Sequence, residues 1–293
     1  MSLIPKSHPR AKSLLIREKL VTGFDHGLVA KEGLLAHGRG EAFDYLLGEK
    51  TSKTAKLAIR AAAAQILLAD LPVISVNGNI AALCPKEIVR LANTSRAKIE
   101  VNLFYTNEKR KQNIIKILKK SGAKEILGTN RNLSTTLPGL DSARRIVDKN
   151  GIFAADVVIV PLEDGDRTMA LRRAGKTVIT FDLNPLSRTS QTANITIVDN
   201  VTRAMNLLTI TCKKLSNKNK KILEKIVKDF NNKKNLSDNI TRAMDLLTIT
   251  CKKLSNKNKK TLEKIVHDFN NKKNLSDNII EIRDNLTRRL HIA

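Results

Sequence analysis

The sequence predicts an α/β fold built around a mostly parallel sheet. Three short apolar segments, at residues 157–160, 178–181 and 195–198, are rich in β-branched residues and too short for independent helices. Near-continuous apolar strands of this kind are typical of parallel sheets that helices cover. Segments with helical periodicity precede these strands, and a repeated segment with helical periodicity follows them.

Polar loops follow each of the three predicted strands. In open parallel sheets, ligands bind in the crevice beyond the carboxyl ends of the strands. Arg188 offers a guanidinium fork for phosphate oxygens and Thr189 offers a hydroxyl, while Asp and Asn side chains bind ribose hydroxyls or base edges. The loops therefore predict a nucleotide pocket. Its candidate residues are Asp182, Asn184, Arg188, Thr189, Asp199 and Asn200.

Two structural alternatives to this pocket remain open from the pattern alone. Asp199 or Asn200 would also serve as the N-cap of a helix that begins near Val201. Asn184 and the proline that follows it would also form an ordinary turn. The pocket is the preferred interpretation because three strand ends direct polar groups to the same edge of the sheet.

The N-terminal part combines helical periodicity with cationic side chains. Arg17 falls near the edge of an apolar stripe, and Arg39 lies between two glycines whose missing side chains would let a ligand approach the backbone. The alternatives are a solvated Arg17 on a helix and a plain turn at residues 38–40. The stripe consists of Leu14, Leu15, Leu20 and Val21.

Eight longer motifs carry a resemblance to a known family. They are SHPR (7–10), REKL (17–20), AHGRGEAFDYLLGEKT (36–51), PVISVNGN (72–79), EVNLFY (100–105), PLEDGDRT (161–168), DLNPLSRT (182–189) and ITIVDNVTRA (195–204). With these motifs the chain resembles the archaeal 4-phosphopantoate–β-alanine ligase family, also called phosphopantothenate synthetase. The resemblance covers residues 4–208.

The resemblance implies a homodimeric, ATP-dependent ligase of coenzyme A biosynthesis with a three-layer, Rossmann-like core. Such an enzyme joins 4-phosphopantoate to β-alanine and releases 4′-phosphopantothenate, AMP and diphosphate. Six of the implied ATP contacts are the strand-end residues already named, whereas three others come mainly from the resemblance. The implied set is Arg17, Arg39, Asp182, Leu183, Asn184, Arg188, Thr189, Asp199 and Asn200.

This reaction class requires cations more than nucleophiles. The expected route is attack of the phosphopantoate carboxylate on the α-phosphorus of ATP, which gives an acyl adenylate that the amine of β-alanine then cleaves. Arginine and lysine groups together with Mg²⁺ would neutralise the charge at both stages. A candidate metal-side loop is Glu163-Asp164-Gly165-Asp166, although the string alone favours a carboxylate-rich surface turn. Candidates for the 4-phosphate socket are Arg10, Lys50 and Arg167, and none of them is assigned.

Two common nucleotide signatures fail in this sequence. The Walker A pattern fails at residues 48–51, because a glutamate separates the glycine from Lys50. The dinucleotide fingerprint fails because Phe43 stands where the third glycine belongs. A hydride-transfer enzyme is therefore disfavoured. The VISVNGN segment predicts a strand that enters a glycine turn and then a helix, a geometry that can place backbone N–H groups near an anion.

Composition sets outer limits on the protein class. With 293 residues, of which 41% are hydrophobic, the chain can bury a large α/β core. No apolar stretch is long and uncharged enough to predict a membrane span, and no signal peptide is visible, so we expect a cytoplasmic protein. The spacing of Cys84, Cys212 and Cys251 predicts neither a disulfide framework nor a zinc site.

A direct repeat follows the predicted catalytic core. Residues 199–239 and 238–278 align with a shift of 39 positions and differ at four of them, which indicates a recent duplication. The first copy predicts basic helices at residues 202–215 and 218–231, with polar connections such as NKKNLSDN. We therefore predict a ligase core at residues 1–208 and a basic helical extension at residues 209–293. The copied pair Asp238-Asn239 lacks a preceding strand, so we expect it to be inactive and Asp238 to be an N-cap.

The net charge of +25 supports one alternative function, a basic structural or nucleic-acid-associated protein without ATP turnover. Aromatic residues make up 3% of the chain and tryptophan is absent, so platforms for base stacking are scarce. Binding of nucleic acid is therefore expected to be non-specific at most.

Overall fold

The computed structural model describes residues 4, 5, 7–104 and 107–255. Residues up to Ser237 form one compact unit, and a second unit begins at Asp238. The described helices are α1 (Ala11–Asp25), α2 (Lys31–Leu46), α3 (Lys53–Leu68), α4 (Gly78–Leu83), α5 (Pro85–Ser95), α6 (Glu108–Lys120), α7 (Gly165–Arg173), α8 (Arg188–Thr192), α9 (Val201–Leu215), α10 (Lys220–Lys228) and α11 (Asn232–Ser255). The described strands are β1 (Pro72–Val76), β2 (Lys98–Val101), β3 (Ser134–Thr136), β4 (Ile146–Asp148), β5 (Val157–Pro161), β6 (Thr177–Phe181) and β7 (Ile195–Ile197).

Five of these strands form a parallel sheet in the order β2-β1-β5-β6-β7. The three predicted strands correspond to β5, β6 and β7, and the prediction of a mostly parallel sheet is confirmed. The chain leaves β1 towards β2 on one side and later returns to β5 on the other side. The order reverses between β1 and β5, which makes their carboxyl ends the topological switch point of the sheet. A separate antiparallel pair joins β3 to β4.

The sheet is the middle layer of three. Along β5, Val157 and Ile159 belong to a large core cluster, whereas Val158 and Val160 belong to a smaller one. The side chains of a strand alternate between its two faces, so these clusters lie on opposite sides of the sheet. Helices α3, α5 and α9 contribute to the large cluster, while α7 and the β3–β4 segment contribute to the small one. The α/β, Rossmann-like fold class is confirmed, including its helical N-terminal elements.

Helix α3 lies against α9 and α10. Its central run of alanines is almost completely buried, and small side chains let neighbouring helices approach closely. The helix begins at Ser52, whose hydroxyl accepts a hydrogen bond from the backbone N–H of Ala55 at 2.9 Å. The predicted boundary at residues 208 and 209 falls inside α9, and the division into a core and an extension stays a prediction.

The structure decides one alternative that the sequence left open in the N-terminal part. Residues 38–40 do not form a turn, because they lie inside α2. The apolar stripe of α1 is mostly not buried: Leu20 is buried, but Leu15 and Val21 are exposed. Helix α1 instead approaches α4 through Gly23, where an added Cβ would overlap Ala82. A glycine therefore allows the close contact between α1 and α4, and the pattern of apolar residues does not reveal this contact.

The expectations for the second repeat copy also need correction. The connection at residues 232–239 was predicted to be polar and irregular, with Asp238 as an N-cap, yet both lie within α11. No strand, Gly or Pro interrupts this segment, and the Asn231 side chain accepts a hydrogen bond from the N–H of Lys234 at 3.0 Å near the helix start. The part of the second copy beyond Ser255 lies outside the described residues.

Asparagine side chains anchor the beginning of α11 within the first unit. The Asn232 amide donates to the carbonyl of Ala193 at 3.0 Å, and its carbonyl oxygen accepts from the N–H of Thr196 at 2.8 Å. The Asn235 amide donates to the carbonyl of Thr54 at 3.0 Å. These hydrogen bonds use the polar side chains that suggested a loop in the sequence.

Candidate functional site

A cleft of about 630 Å³ opens at the carboxyl ends of β1, β2, β5 and β6. It includes the switch point between β1 and β5, where ligands bind in open parallel sheets. Helix α2 and the segment before it form another wall, and residues of α6 and the segment before β4 also contribute. The lining combines apolar side chains, among them Leu28, Leu103, Phe104 and Leu162, with four arginines, namely Arg39, Arg110, Arg144 and Arg188.

Two asparagines build the floor of the cleft after β1. The Asn77 oxygen accepts from the N–H of Ile80 at 3.2 Å, and its amide donates to the carbonyl of Pro161 at 2.9 Å, which ties the end of β1 to the end of β5. The Asn79 amide donates to the carbonyl of Gly33 at 2.8 Å and so holds the start of α2 against this edge. The strand and the helix predicted from VISVNGN are confirmed, but the predicted glycine turn does not form, because Gly78 is already the first residue of α4.

The loop after β6 is held in shape by its own side chains. The Asp182 carboxylate accepts hydrogen bonds from the N–H of Asn184 at 2.9 Å and from the hydroxyl of Ser187. The Asn184 oxygen accepts from the N–H of Leu186 at 2.9 Å, so the expected Asn-Pro turn does form, within the wall of the cleft. Burial raises the pKa of the Asp182 carboxyl, while its hydrogen bonds act in the opposite direction.

Arg188 and Thr189 lie at the start of α8, beside the start of α7. The Thr189 hydroxyl donates to the carbonyl of Glu163 at 2.8 Å. The Arg188 side chain is 66% exposed and pairs with Asp166 at 2.8 Å. Gly165 lets the two helix starts approach, because a Cβ at this position would overlap the Arg188 side chain. At the cleft rim, phosphate oxygens could therefore compete with Asp166 for this exposed guanidinium.

Arg39 lines the cleft from α2, and Leu183 lines it from the loop after β6. Arg39 projects from α2 and is exposed, whereas Leu183 is buried in the loop after β6. Gly40 faces Leu183, and an added Cβ would lie 3.4 Å from the Leu183 side chain. The two glycines that flank Arg39 therefore lie within α2, and Gly40 faces the loop after β6.

Three of the nine predicted ATP contacts do not line this cleft. Arg17 pairs with Glu41 at 2.7 Å on α2. Asp199 is buried and accepts from the Thr51 hydroxyl at 2.6 Å. Asn200 caps α9 and accepts from the N–H of Thr202 at 3.1 Å, as the N-cap alternative expected. The six residues that do line the cleft are Arg39, Asp182, Leu183, Asn184, Arg188 and Thr189.

A cluster of paired charges in the wall of the cleft was not found from the sequence. The Glu163 carboxylate pairs with both Arg144 and Arg167, and Arg144 also pairs with Asp164 at 3.1 Å. Burial lowers the pKa of each arginine to about 10, which leaves both charged at neutral pH. No motif marked Arg144. Its partners lie about twenty positions away, and no local signal relates it to them.

The carboxylate loop at residues 163–166 does not fit a resident metal ion. Glu163 is occupied by two arginines, and Asp166 pairs with Arg188. Asp164 pairs with Arg144 and accepts from the N–H of Arg167 at 2.8 Å as the N-cap of α7. Within the described residues, no group of three His, Cys, Asp or Glu side chains could hold a metal ion.

The three candidates for the phosphate socket are not among the residues that line the cleft. Arg10 pairs with Glu41 at 2.9 Å and Glu49 at 2.8 Å, and its guanidinium lies 4.7 Å from the centroid of the Tyr45 ring. Arg167 is completely buried. Lys50 is exposed in the turn between α2 and α3, where no strand precedes it, so the failed Walker A pattern has no P-loop geometry either.

Among the described residues, no helix is long and apolar enough to span a membrane.

His37 is a buried histidine in the wall of the cleft. Burial lowers the pKa of His37, and the neighbouring Glu41 opposes this effect. The imidazole is therefore mainly neutral at pH 7.

Comparisons with known proteins show the family to which this chain belongs. The profile of the phosphopantothenate/pantothenate synthetase family matches residues 54–238 and again residues 235–285, a range that includes the second repeat copy. The 4-phosphopantoate–β-alanine ligase of Thermococcus kodakarensis is 54% identical over 235 residues, which cover 80% of this chain and 89% of that protein. The protein of the same name from Methanosarcina mazei is 52% identical over 237 residues, 81% of this chain and 92% of its own. A match of this length and identity does not arise from the fold alone, and the chain belongs to the phosphopantothenate/pantothenate synthetase family.

Proposed function

We propose that this protein is an ATP-dependent 4-phosphopantoate–β-alanine ligase of coenzyme A biosynthesis. It condenses 4-phosphopantoate with β-alanine to 4′-phosphopantothenate and releases AMP and diphosphate. The observation that carries this proposal is the identity of 52–54% to relatives of that name over about four fifths of the chain. The arginine-lined cleft at the switch point of the sheet supports it, because all three substrates are anions or zwitterions.

The nucleotide is proposed to bind against the loop after β6. Arg39 and Arg188 are exposed cations on two sides of the cleft, suited to the phosphates of ATP. The proposed contacts within the cleft also include Asp182, Leu183, Asn184 and Thr189.

The contacts proposed for Arg17, Asp199 and Asn200 extend this site along α2. His37 lines the cleft, and Glu41 and Asp44 lie one and two turns farther along the same helix face. Arg17 pairs with Glu41, while Asp199 shares Arg203 with Asp44. These residues therefore hold the face of α2 from which His37 projects.

The reaction is proposed to pass through an acyl adenylate. The carboxylate of the acyl substrate and the α-phosphate of ATP are both negative, so the cations of the cleft lower the cost of bringing them together. Mg²⁺ is expected to enter with ATP as part of the substrate, since the carboxylates at residues 163–166 already pair with arginines. Departure of diphosphate would then leave a mixed anhydride that β-alanine cleaves through its amine.

We also propose that the protein is a cytoplasmic homodimer. Val21, Leu35 and Tyr45 are exposed on α1 and α2, and large exposed apolar side chains suit an interface between two copies. Sedimentation analysis tests this assembly, and a monomer at every concentration would contradict it.

The proposed reaction is tested by AMP release from ATP in the presence of 4-phosphopantoate, β-alanine or both. We expect AMP to form in step with 4′-phosphopantothenate only when both substrates are present. Arg188→Ala should lower the rate by roughly 100-fold, since it removes a cation that faces the reacting phosphates. Asp238→Ala, a change in the second repeat copy, should leave the rate unchanged. ATP hydrolysis without a condensed product, or no AMP in any condition, would contradict the proposal.

A further inference from the structure

Among the four arginines that line the cleft, Arg144 is the buried one. Its side chain is 9% exposed. A short 3-10 turn, Ala143–Arg145, places it immediately before β4. The amide of Asn102 fixes this turn, because it donates to the carbonyls of Arg144 at 3.2 Å and Ile146 at 2.9 Å. The backbone therefore holds Arg144 in place independently of its side-chain partners.

Arg144 and Arg167 both carry buried hydrogen-bond donors that have no partner among the described residues. Its Nη1 donates to Asp164 at 3.1 Å and contacts Glu163, but its Nε is buried and has no partner among the described residues. The Nε and Nη2 of Arg167 are likewise buried without a partner within the described part of the chain. Buried donors without acceptors are rare in native proteins and call for a missing partner. At Arg144 the missing partner can come from the cleft, which this side chain lines.

We propose that Arg144 binds the phosphate of the acyl substrate, an inference that rests on the proposed ligase function. The carboxylate of that substrate must reach the α-phosphorus of ATP, whose phosphates are assigned to Arg39 and Arg188. The phosphate group, at the other end of a short branched chain, then requires a cation elsewhere in the cleft. A guanidinium matches phosphate oxygens with two parallel N–H donors, and Arg144 still has its Nε to offer.

The apolar surroundings of Arg144 suit the body of the same substrate. The Arg144 guanidinium carbon lies 5.7 Å from the centroid of the Phe104 ring, and Leu103 and Leu162 also line this cleft. Between its carboxylate and its phosphate, phosphopantoate carries two methyl groups on one carbon. Apolar side chains next to a buried cation therefore complement both parts of the molecule.

The neighbouring carboxylates allow this exchange of partners. Asp164 is 35% exposed and keeps its bond to the N–H of Arg167 if it releases Arg144 to a phosphate. Arg167 is a positioning residue, because its buried Nη1 pairs with Glu163 and donates to the Ser75 hydroxyl at 3.0 Å. Glu163 therefore keeps a cationic partner when Arg144 turns to the ligand, and no buried carboxylate is left unpaired.

The test compares the affinities of Arg144→Ala, Arg144→Lys and the neighbouring control Arg145→Ala. Arg145 is exposed and donates to the carbonyl of Asp141, so it matches Arg144 in type and location but does not line the cleft. Calorimetry gives the Kd of 4-phosphopantoate, of pantoate without its phosphate, and of ATP. We expect Arg144→Ala to raise the Kd of 4-phosphopantoate at least 30-fold and to leave the Kd of pantoate and of ATP within threefold of the native values. For the control variant Arg145→Ala, all three Kd values should stay within threefold of the native values.

Three outcomes would overturn the inference. An unchanged affinity of Arg144→Ala for 4-phosphopantoate shows that its phosphate binds elsewhere. An equal loss for pantoate and 4-phosphopantoate shows that the residue only shapes the cleft. Failure of the native protein to bind 4-phosphopantoate at all removes the proposed function together with this inference. If Arg144→Ala does not fold, Arg144→Lys decides, because it keeps the charge beside Glu163 but loses the fork, and we expect at least a tenfold loss for 4-phosphopantoate alone.

Discussion

Replacing Arg203 with alanine removes the guanidinium that joins α9 to α2. Its Nη2 lies 2.6 Å from a carboxylate oxygen of Asp44 and 2.6 Å from one of Asp199, and its Nη1 donates to Asp44 at 3.1 Å. The two carboxylates are 3% and 1% exposed. Loss of one partner from a buried ion pair costs about 3–5 kcal/mol, because a desolvated charge remains. We expect a decrease of this size in the free energy of unfolding.

The assay is urea unfolding of Arg203→Ala at pH 8 and at pH 5. Burial raises the pKa of the Asp199 carboxyl and Arg203 opposes this effect, so without Arg203 the carboxyl takes up a proton more readily in the folded state than in the unfolded state. The stability of the variant should therefore fall as pH rises. The loss relative to the native protein should therefore be larger at pH 8. The control is Arg60→Ala, which removes an exposed arginine from α3. Its loss should be about 1 kcal/mol or less, because an exposed arginine leaves no desolvated carboxylate behind. Equal losses at the two pH values, or equal losses in the two variants, would refute the ion-pair explanation.

Two further predictions concern stability. Glu100 is completely buried, and its desolvation raises the carboxyl pKa to about 7, above its usual 4.5, although two backbone N–H donors oppose the shift. The folded state keeps a proton that the unfolded state releases, so this group favours folding at low pH and loses that effect as pH rises to about 7. Glu100→Gln should remove roughly 2 kcal/mol of pH dependence between pH 5 and 7.5 in urea titrations, and an unchanged slope would show that another group titrates. In α2, Gly38→Ala should raise stability by about 0.5–1 kcal/mol because its Cβ meets open space. Gly33→Ala should lower stability because its Cβ would overlap the Asn79 side chain. Thermal unfolding of both variants checks this, and a gain of stability in both would contradict the close approach of Gly33 to Asn79.

Four of the five strands of the parallel sheet and the β6 wall of the cleft could be predicted from local sequence. β-branched runs specify β5, β6 and β7, and the polar residues that follow β6 do line the cleft. A turn at residues 38–40 stayed an open alternative because paired glycines usually indicate a turn, whereas here both glycines lie within α2 and Gly40 faces the β6 loop. Arg144 was missed because its role depends on Glu163 and Phe104, which are distant in the sequence.

The duplicated segment separates the effects of sequence and context. Asp199-Asn200 follows β7 and starts a helix, while the identical pair Asp238-Asn239 lies inside α11. The difference comes from the preceding residues, since a strand aims the first pair and helix-compatible residues precede the second. A dipeptide motif therefore predicts a site only together with the element that positions it.

The most direct test of a nucleotide site in the switch-point cleft is the Kd of ATP with Mg²⁺ for the native protein and three variants. Arg39→Ala and Arg188→Ala each remove a cation from the cleft, whereas Arg60→Ala removes an exposed arginine from α3 that does not line it. A hydrogen bond to a charged group contributes about 1.5–3 kcal/mol, so each cleft variant should raise the Kd of ATP by roughly tenfold or more. Arg60→Ala should bind ATP as the native protein does. An unchanged Kd in both cleft variants would contradict the assignment of this cleft to ATP.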